Sequence, residues 1–309
     1  MSNLEFIPPQ PLNTAVLFLV FNRIETTKKV FSAIRQAKPP RIYVAADGPR
    51  KDKKGEFEKV IMVRDFITQN IDWKCEVHTL FREKNLGCKV AVSNAIDWFF
   101  KNESHGIILE DDCFPSQSFF WFCEELLQRY QNDQRIAQIC GSNFQNGIKR
   151  GNADYYFSIY NHIWGWASWS NRWKNYDVNL EKFENSDFID SIFNKKRVIK
   201  HWKNIYENMK QQKIDTWDYQ WMFTVWKKMQ LSILPNINLV ENIGFGPEAT
   251  HTKDNDKMAN IKNSEIVLEK HPTKVEQNRE ADEFTSKNIY HRSLFIRITN
   301  RIQKIIGWK

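Results

Sequence analysis

The stretch Gly106-Ile107-Ile108-Leu109-Glu110-Asp111-Asp112 decides the fold, because a short apolar run ends there in three consecutive carboxylates. A run of this length between polar residues is typical of a buried β-strand. In an open α/β sheet, ligands bind at the edge formed by the carboxyl ends of the strands. The stretch therefore predicts a buried strand with an acidic site at its end, and a solvated acidic turn is the alternative.

Strands and helices alternate on both sides of this stretch. The predicted strands cover residues 14–21, 41–46, 74–81, 106–109 and 136–140. The predicted helices between them cover residues 25–37, 56–70, 87–101 and 115–131. This alternation predicts an α/β fold in which helices flank a mostly parallel central sheet. A polar segment near 175–200 precedes a further helix at 217–229 and a short strand at 231–234.

The three adjacent carboxylates repel one another, so a cation is expected to offset their charge. Mg²⁺ typically binds one or two protein carboxylates together with substrate phosphates. Mn²⁺ suits the same oxygen ligands. The sequence therefore predicts a divalent cation that enters with the diphosphate group of a substrate.

Further polar residues follow the other predicted strands. Arg23 lies after the first strand, where it could bind a diphosphate, and Asp47 ends the second, where it could accept a hydrogen bond from a base or ribose. Asn85 and Gly87 follow the third strand, and glycine allows a ligand to approach the backbone closely. A surface arginine and an Asx turn are the alternatives for Arg23 and Asp47. Residues 21–27 contain no dinucleotide-binding or P-loop glycine pattern, which disfavours both kinds of site.

The composition indicates a folded protein with a large core: 309 residues, of which 41% are hydrophobic and 27% charged. The five cysteines form no C-x-x-C pair, which disfavours a disulfide framework or zinc ribbon and favours a reducing compartment. Residues 1–10 do not resemble a signal peptide, and no apolar run approaches the ~18 residues of a spanning helix. We therefore expect a cytoplasmic location.

The net charge of +8 is concentrated at the C-terminus, where residues 287–309 carry six basic residues and no acidic one. The remainder is nearly neutral, which argues against a nucleic-acid partner. Isoleucines and leucines at helical spacing alternate with the basic residues, which predicts an amphipathic helix that would favour an anionic membrane surface. A C-terminal helix packed on the domain is the alternative.

The ordered features at the strand ends resemble glycosyltransferases of the GT-A fold, which transfer a sugar from a nucleotide-diphospho-sugar. These features are Asp47-Gly48, Asn85-Leu86-Gly87 and the acidic triplet Glu110-Asp111-Asp112. The resemblance covers roughly residues 14–251. It implies a Rossmann-like GT-A fold, with a C-terminal helical extension in this chain.

Within that superfamily the chain resembles the inverting N-acetylglucosaminyltransferase I-like branch. The features that carry this finer resemblance are Phe119-Phe120 after the triplet, the tryptophan-rich stretch 164–169 and the pair Trp217-Asp218. The chain departs from the branch in lacking an N-terminal membrane anchor and in having one aspartate where the branch has W-D-D. Donor and acceptor identities are therefore not carried over.

The resemblance implies roles for the residues at the strand ends. Asp112 would bind the metal, which acts as a Lewis acid on the leaving diphosphate. Glu110 and Asp111 would contact the donor sugar, the ribose or the water shell of the metal. Arg23 would bind the phosphates, and Asp47 would recognise the base.

An inverting transfer also needs a general base that takes the proton of the acceptor hydroxyl. Asp218 matches the W-D pair and is the first candidate, and Asp215 is the second. Flanking aromatic residues could desolvate Asp218 and raise its basicity. Capping of the helix that begins near residue 218 is the alternative role.

Two further site residues are expected from the second half of the chain. Tryptophan can stack on a sugar ring or fill a core, and we expect Trp166 to contact the donor. His251 follows a glycine-containing turn at 244–247 and would supply a further metal ligand, as a late histidine does in many GT-A enzymes. The turn could close over the donor. A surface loop histidine is the alternative.

Together these features predict a catalytic domain over residues 1–251, with a nucleotide-sugar-binding half at 14–140 and an acceptor-binding half at 141–251. Residues 252–286 are expected to form a polar loop or linker, and residues 287–309 the basic helix. The expected activity is metal-dependent, inverting transfer of a hexosyl or N-acetylhexosaminyl group. The donor would be a nucleotide-diphospho-sugar, with a UDP-sugar favoured.

The acceptor is expected to be a hydroxyl of a glycan or of a lipid-linked molecule in surface polysaccharide or glycolipid synthesis, at the inner face of the membrane. A retaining GT-A transferase is one alternative. A sugar nucleotidyltransferase is another, although residues 21–27 lack the glycine-rich loop that such enzymes use. A carbohydrate- or membrane-binding protein with an inactive site is the non-enzymatic alternative.

Overall fold

The computed structural model describes residues 6–245 and 261–290. Strands and helices alternate in the first half, as the sequence predicts. In chain order they are β1 (Val16–Val20), α1 (Ile24–Ala37), β2 (Arg41–Ala46), α2 (Glu56–Asn70), β3 (Glu76–Phe81), α3 (Gly87–Asn102), β4 (His105–Glu110), β5 (Cys113–Pro115), α4 (Gln117–Arg129) and β6 (Ile136–Cys140). The stretch that ends in the acidic triplet forms β4, and residues 106–109 of this strand are buried.

The second half contains shorter elements, most of which the sequence pattern does not predict. They are β7 (Tyr155–Ser158), β8 (Trp166–Trp169), α5 (Ser170–Trp173), α6 (Phe188–Ile192), α7 (Lys196–Lys210), α8 (Asp218–Lys227), β9 (Leu231–Pro235), β10 (Val240–Asn242), α9 (Arg279–Thr285) and a π-helical turn (Ser286–Tyr290). Only α8 and β9 correspond to predicted elements. Helix α7 begins in the segment expected to be polar, and it buries Val198, Trp202, Tyr206 and Met209 among charged residues.

The eight-stranded central sheet has the order β3-β2-β1-β4-β8-β6-β9-β7. Strands β8 and β7 run antiparallel to their neighbours, and the other pairs are parallel. The predicted class, a mostly parallel α/β sheet flanked by helices, is confirmed. Because β8 lies between β4 and β6, strands of the predicted nucleotide-sugar-binding half and of the predicted acceptor-binding half share one sheet. Within the described ranges, no helix combines the length and apolarity needed to cross a bilayer.

Strand β1 shows how this sheet is buried on both faces. Val16, Phe18 and Val20 point into a core cluster that includes residues of α1 and α4. Leu17 and Leu19 point into a second cluster on the opposite face, which includes residues of α3 and α8. A parallel strand covered on both faces needs apolar residues at every position, which explains why β1 is continuously hydrophobic.

The described part of the polar region 252–286 is attached to the domain by its charged side chains. Glu265 accepts hydrogen bonds from the backbone N–H groups of Gln117 and Ser118, at 3.0 and 2.7 Å, and so caps the N-terminus of α4. The buried Asp282 accepts the hydroxyl of Ser158 on β7. From residue 261 onward, the expected loop therefore packs on the sheet and includes α9. Residues 291–309, most of the expected basic helix, lie outside the described ranges.

A buried amide on β6 connects the sheet to the second half of the chain. Gln138 is fully buried, and its Nε2 donates to the carbonyl oxygen of His162 at 3.0 Å. Its Oε1 accepts the indole N–H of Trp221 on α8. This side chain therefore holds both α8 and the connection between β7 and β8 against the sheet.

Replacing this amide is expected to destabilise the fold. In Gln138→Leu, the Trp221 indole and the His162 carbonyl would both remain buried without a partner, which is expected to cost about 2–4 kcal/mol. The free energy of unfolding in urea measures this loss. Ser232→Ala is the matched control, because the buried Ser232 hydroxyl has no hydrogen-bond partner in the structure. Equal stabilities of the two variants would contradict the role given to Gln138.

Candidate active site

The acidic triplet and Arg23 meet at the carboxyl edge of the sheet. Strands β1 and β4 are parallel neighbours, and β2 lies on the other side of β1. The chain order therefore reverses between β1 and β4, and such a switch point opens a crevice at the carboxyl ends of the strands. Arg23 follows β1, and the triplet ends β4 and continues beyond it. Strand pairing therefore brings residues about ninety positions apart into contact.

Arg23 forms two ion pairs with the triplet through a single nitrogen atom. Its Nη2 lies 3.0 Å from Asp111 Oδ1 and 3.0 Å from Asp112 Oδ2. The second oxygen of Asp111 accepts the backbone N–H of Phe21 at 3.2 Å. Burial lowers the Arg23 pKa, but the charges of Asp111 and Asp112 outweigh this effect and leave the pKa above its ordinary value. Arg23 therefore remains charged.

One guanidinium does not compensate three carboxylates. Burial is the largest cause that raises the pKa of Glu110, followed by the charges of Asp112 and Asp111. Burial also raises the pKa of Asp111, although the charge of Arg23 opposes that effect. The electrostatic environment at the end of β4 therefore favours an additional positive charge.

The residues present fit a divalent ion that is bound together with a substrate. In the part of the chain that the structure describes, no group of three or more His, Cys, Asp or Glu side chains is arranged to hold a metal ion. Mg²⁺ in phosphate-transfer sites needs only one or two protein carboxylates, because water and substrate phosphates complete its coordination. Asp112, with Asp111 beside it, supplies such a donor set.

The chain segment after β10 lies directly over Asp112. The backbone N–H of Ile243 donates to the carbonyl oxygen of Asp112 at 2.8 Å. A Cβ atom at Gly244 would overlap the Asp112 side chain, so any larger residue at that position would displace Asp112. The ring of Phe245 packs against Trp164, with 5.7 Å between ring centroids. The expected metal ligand His251 lies farther along this segment, outside the described residues.

Asp47 connects two loops at the same edge of the sheet. Its carboxylate accepts hydrogen bonds from the backbone N–H groups of Gly48, Leu86 and Gly87, at 2.9 to 3.1 Å. Asn85 Nδ2 donates to the carbonyl oxygen of Gly48 at 2.8 Å. Both Asp47 oxygens therefore bind backbone, which matches the Asx-turn alternative extended over two loops. Gly87 has φ = 79°, a conformation that favours glycine.

The two candidate bases differ in exposure and in surroundings. Asp218 is the first residue of α8, and its side chain is half-buried and accepts the hydroxyl of Thr216. Asp215 is exposed, and its Oδ2 lies 3.4 Å from where a Cβ atom of Gly87 would be. The structure therefore places Asp215 beside the start of α3 and Asp218 at the head of α8.

The charges of four of the expected site carboxylates act on the thiol of Cys88. Burial raises its pKa most, and further increases come from the charges of Glu110, Asp218, Asp215 and Asp47, in that order. Asp218 also contributes to the raised pKa of Glu110. The loop after β2, the end of β4 and the start of α8 therefore lie close enough to the start of α3 for their carboxylates to act on the same thiol.

Trp166 does not contact this crevice, contrary to expectation. Its side chain is fully buried and stacks on Trp217, with 5.8 Å between centroids and 22° between ring planes. The alternation of side chains along β8 points Trp166 into the core cluster beneath α3 and α8. The neighbouring Trp164 is half-buried and lies against Phe245, next to the segment over Asp112. Trp164 is therefore the better placed tryptophan for ligand contact.

Three further residues, which lie in the connection between β7 and β8 or pack against it, are not identified from the sequence. The ring of Tyr290 stacks on Tyr160, with centroids 5.1 Å apart, and burial and then nearby groups including Asp218 raise the Tyr290 pKa. The buried amide of Asn161 has no protein hydrogen-bond partner for either polar atom. Burial lowers the pKa of His162 to about 3. No local motif marks these residues, because only the packing of distant segments brings them together.

Comparison with known proteins gives weak structural similarities. No protein-family model and no curated protein matches the chain. The chain is similar to TarS of S. aureus (8% identity, TM-score 0.41, 74% of this chain and 60% of that chain). It is also similar to the glycosyltransferase GlyE of Streptococcus pneumoniae TIGR4 (10%, 0.34, 72% and 45%). A third similar structure is HddC from Yersinia pseudotuberculosis complexed with GMP-PN (9%, 0.32, 51% and 77%). At these identities and TM-scores, the similarities carry no argument about activity.

The contact between Gly244 and Asp112 leads to a test of the site geometry. In Gly244→Ala, the added methyl group would displace the Asp112 carboxylate. A displacement that costs about 1.4 kcal/mol of binding free energy lowers affinity about tenfold, and we expect at least this loss for Mn²⁺ binding in the presence of UDP. Isothermal titration calorimetry measures the affinity. Gly147→Ala is the control for backbone strain without a clash, because the φ of Gly147 is 79° but nothing lies within 4 Å of its Cβ position. Unchanged affinity in Gly244→Ala would show that the contact does not position Asp112.

Proposed function

We propose that this protein is a metal-dependent glycosyltransferase that uses a nucleotide-diphospho-sugar, with a UDP-sugar favoured. The observation that carries the proposal is the double ion pair of Arg23 with Asp111 and Asp112, in the crevice between β1 and β4. Carboxylates for a divalent ion and a cationic side chain for phosphates occur there together. A donor diphosphate with its metal ion needs both kinds of group.

Each residue has a defined part in the proposed reaction. Asp112 holds Mg²⁺ or Mn²⁺ with help from Asp111, and the bound ion would stabilise the negative charge of the leaving diphosphate. Arg23 binds the diphosphate oxygens, while Asp47 and Asn85 hold the loops after β2 and β3 in place beside the nucleotide. We assign Asp47 this positioning role because backbone N–H groups occupy both of its oxygens.

Asp218 is the proposed general base for inverting transfer. It is half-buried at the head of α8, and its charge raises the pKa of Glu110. A carboxylate there could accept the proton of an acceptor hydroxyl while the sugar–phosphate bond breaks. We propose that a hexosyl or N-acetylhexosaminyl group is transferred to a glycan or a lipid-linked acceptor. The basic residues of 287–309 would hold the protein at the cytoplasmic face of an anionic membrane.

A donor screen by thermal unfolding tests the proposed metal–diphosphate site. UDP-, GDP-, CMP- and dTDP-sugars are added with and without Mn²⁺. A ligand at about 100 times its Kd stabilises the native state by about 2.7 kcal/mol, so one nucleotide family is expected to raise Tm in a Mn²⁺-dependent manner. Asp112→Ala should abolish this shift. Asp65→Ala, which removes an exposed carboxylate of α2, should retain it. The absence of any shift in the wild-type protein would exclude the proposed site.

The assignment of the base has a separate test. Asp218→Asn keeps the size of the side chain but cannot accept a proton, so kcat for sugar transfer is expected to fall about 10²–10⁴-fold. The Kd of the donor should remain near the wild-type value, because the variant retains the metal-binding carboxylates. Steady-state transfer assays and donor titration measure the two quantities. Asp215→Asn is the comparison variant, and a larger kcat loss in that variant would move the base assignment to Asp215.

A further inference from the structure

The geometry of Arg23 bears on how the proposed donor site binds its metal ion. Nη2 lies 3.0 Å from an oxygen of Asp111 and 3.0 Å from an oxygen of Asp112. One positively charged group therefore lies between these two oxygens. A divalent ion bound by the same two oxygens would overlap with the guanidinium and be repelled by it. Metal binding by this pair of oxygens therefore requires Arg23 to leave.

Burial makes this displacement costly for a metal ion alone. The relative exposures of the side chains are 23% for Arg23, 5% for Asp111 and 15% for Asp112. Ion pairs are stronger where solvent is partly excluded, and removing one partner of such a pair leaves an uncompensated charge. A metal ion that displaced Arg23 would leave the guanidinium partly buried and unpaired.

A diphosphate would give the displaced Arg23 a new partner. Arg23 occupies the N-cap position of the 14-residue helix α1, and its carbonyl oxygen accepts the N–H of Thr27 at 3.0 Å. The backbone of Arg23 is therefore fixed at a helix N-terminus, which favours anions, while its side chain can reorient. Arginine binds phosphate oxygens in a bidentate manner. A diphosphate held by the metal ion on Asp112 would lie within the same crevice.

We propose that Arg23 is an exchangeable cation that couples metal binding to donor binding. Without the donor, Arg23 pairs with Asp111 and Asp112. With the donor bound, Arg23 would pair with the diphosphate instead, and the two carboxylates would be free to hold the divalent ion. This inference rests on the proposed donor site. It assigns a binding order to that site, in which the metal ion alone binds weakly and enters together with the nucleoside diphosphate.

Thermodynamic reciprocity makes the coupling measurable from either ligand. If UDP strengthens Mn²⁺ binding by some factor, then Mn²⁺ strengthens UDP binding by the same factor. Removing the competing guanidinium should strengthen Mn²⁺ binding in the absence of nucleotide. The same removal should also weaken the effect of UDP, because the variant lacks the guanidinium group that would bind the diphosphate. If Arg23 had only a structural role, its removal would weaken Mn²⁺ binding or leave it unchanged.

The test is a titration of the full-length protein with Mn²⁺, in which electron paramagnetic resonance reports the free ion. Wild type and Arg23→Gln are each titrated with and without saturating UDP, or the nucleoside diphosphate that the donor screen selects. Allosteric coupling between two ligands is typically about 5–150-fold, and we expect an effect of UDP in this range for the wild type. Arg23→Gln should bind Mn²⁺ alone at least about 5-fold more tightly than the wild type.

Arg82→Gln is the matched control, because it removes one positive charge near Asp47 at the same edge of the sheet. It should leave the Mn²⁺ affinity and the effect of UDP close to the wild-type values. Equal or weaker Mn²⁺ binding by Arg23→Gln without nucleotide would overturn the exchange. Equal Mn²⁺ affinity of the wild-type protein with and without UDP would also overturn it, and this outcome needs no variant. If no nucleotide binds in the presence of Mn²⁺, the proposed function fails as well.

Discussion

The parallel pairing of β1 with β4 is the constraint on which the candidate site depends. Both strands are apolar because helices cover both faces of the sheet, so the polar residues of the site occur where the strands end. Their shared register pairs Leu19 with Glu110, so the residues that follow Leu19 lie beside the two aspartates that follow Glu110. Arg23 then supplies the charge that makes a cluster of partly buried acids tolerable. Fold and site are therefore consequences of the same pairing.

The second half of the chain depends on a different kind of interaction. Indole rings fill the space between the sheet and α8, and buried polar groups fix their orientation, as Gln138 does for Trp221. This packing sets where α8 begins and therefore where Asp218 lies. Close packing also leaves no room for a side chain at two glycine positions. A Cβ atom at Gly165 would meet Val240, and one at Gly244 would meet Asp112.

The local sequence pattern predicts the strands and helices of the first half of the chain, but it misses most of those in the second half. Strands such as β1 and β4 are continuous apolar runs, and α1 ends at Ala37, just before two prolines, so composition alone indicates their bounds. Strands β7 and β8 have four residues each and lie in an aromatic-rich stretch, where neither a period of two nor of 3.6 can be established. Helix α7 buries Val198, Trp202, Tyr206 and Met209 at helical spacing, so its pattern is present in the sequence, and the prediction of a polar segment near 175–200 missed it.

The sequence by itself determined the α/β class, the acidic end of β4 and the candidate residues at the strand ends, because alternating hydrophobicity and chain order are local properties. Only the tertiary structure decided how those residues are used. It paired Arg23 with Asp111 and Asp112, engaged Asp47 with the backbone and buried Trp166 in the core. The physical reason is that a side chain's partners are set by strand register and packing between distant segments, which no local pattern encodes.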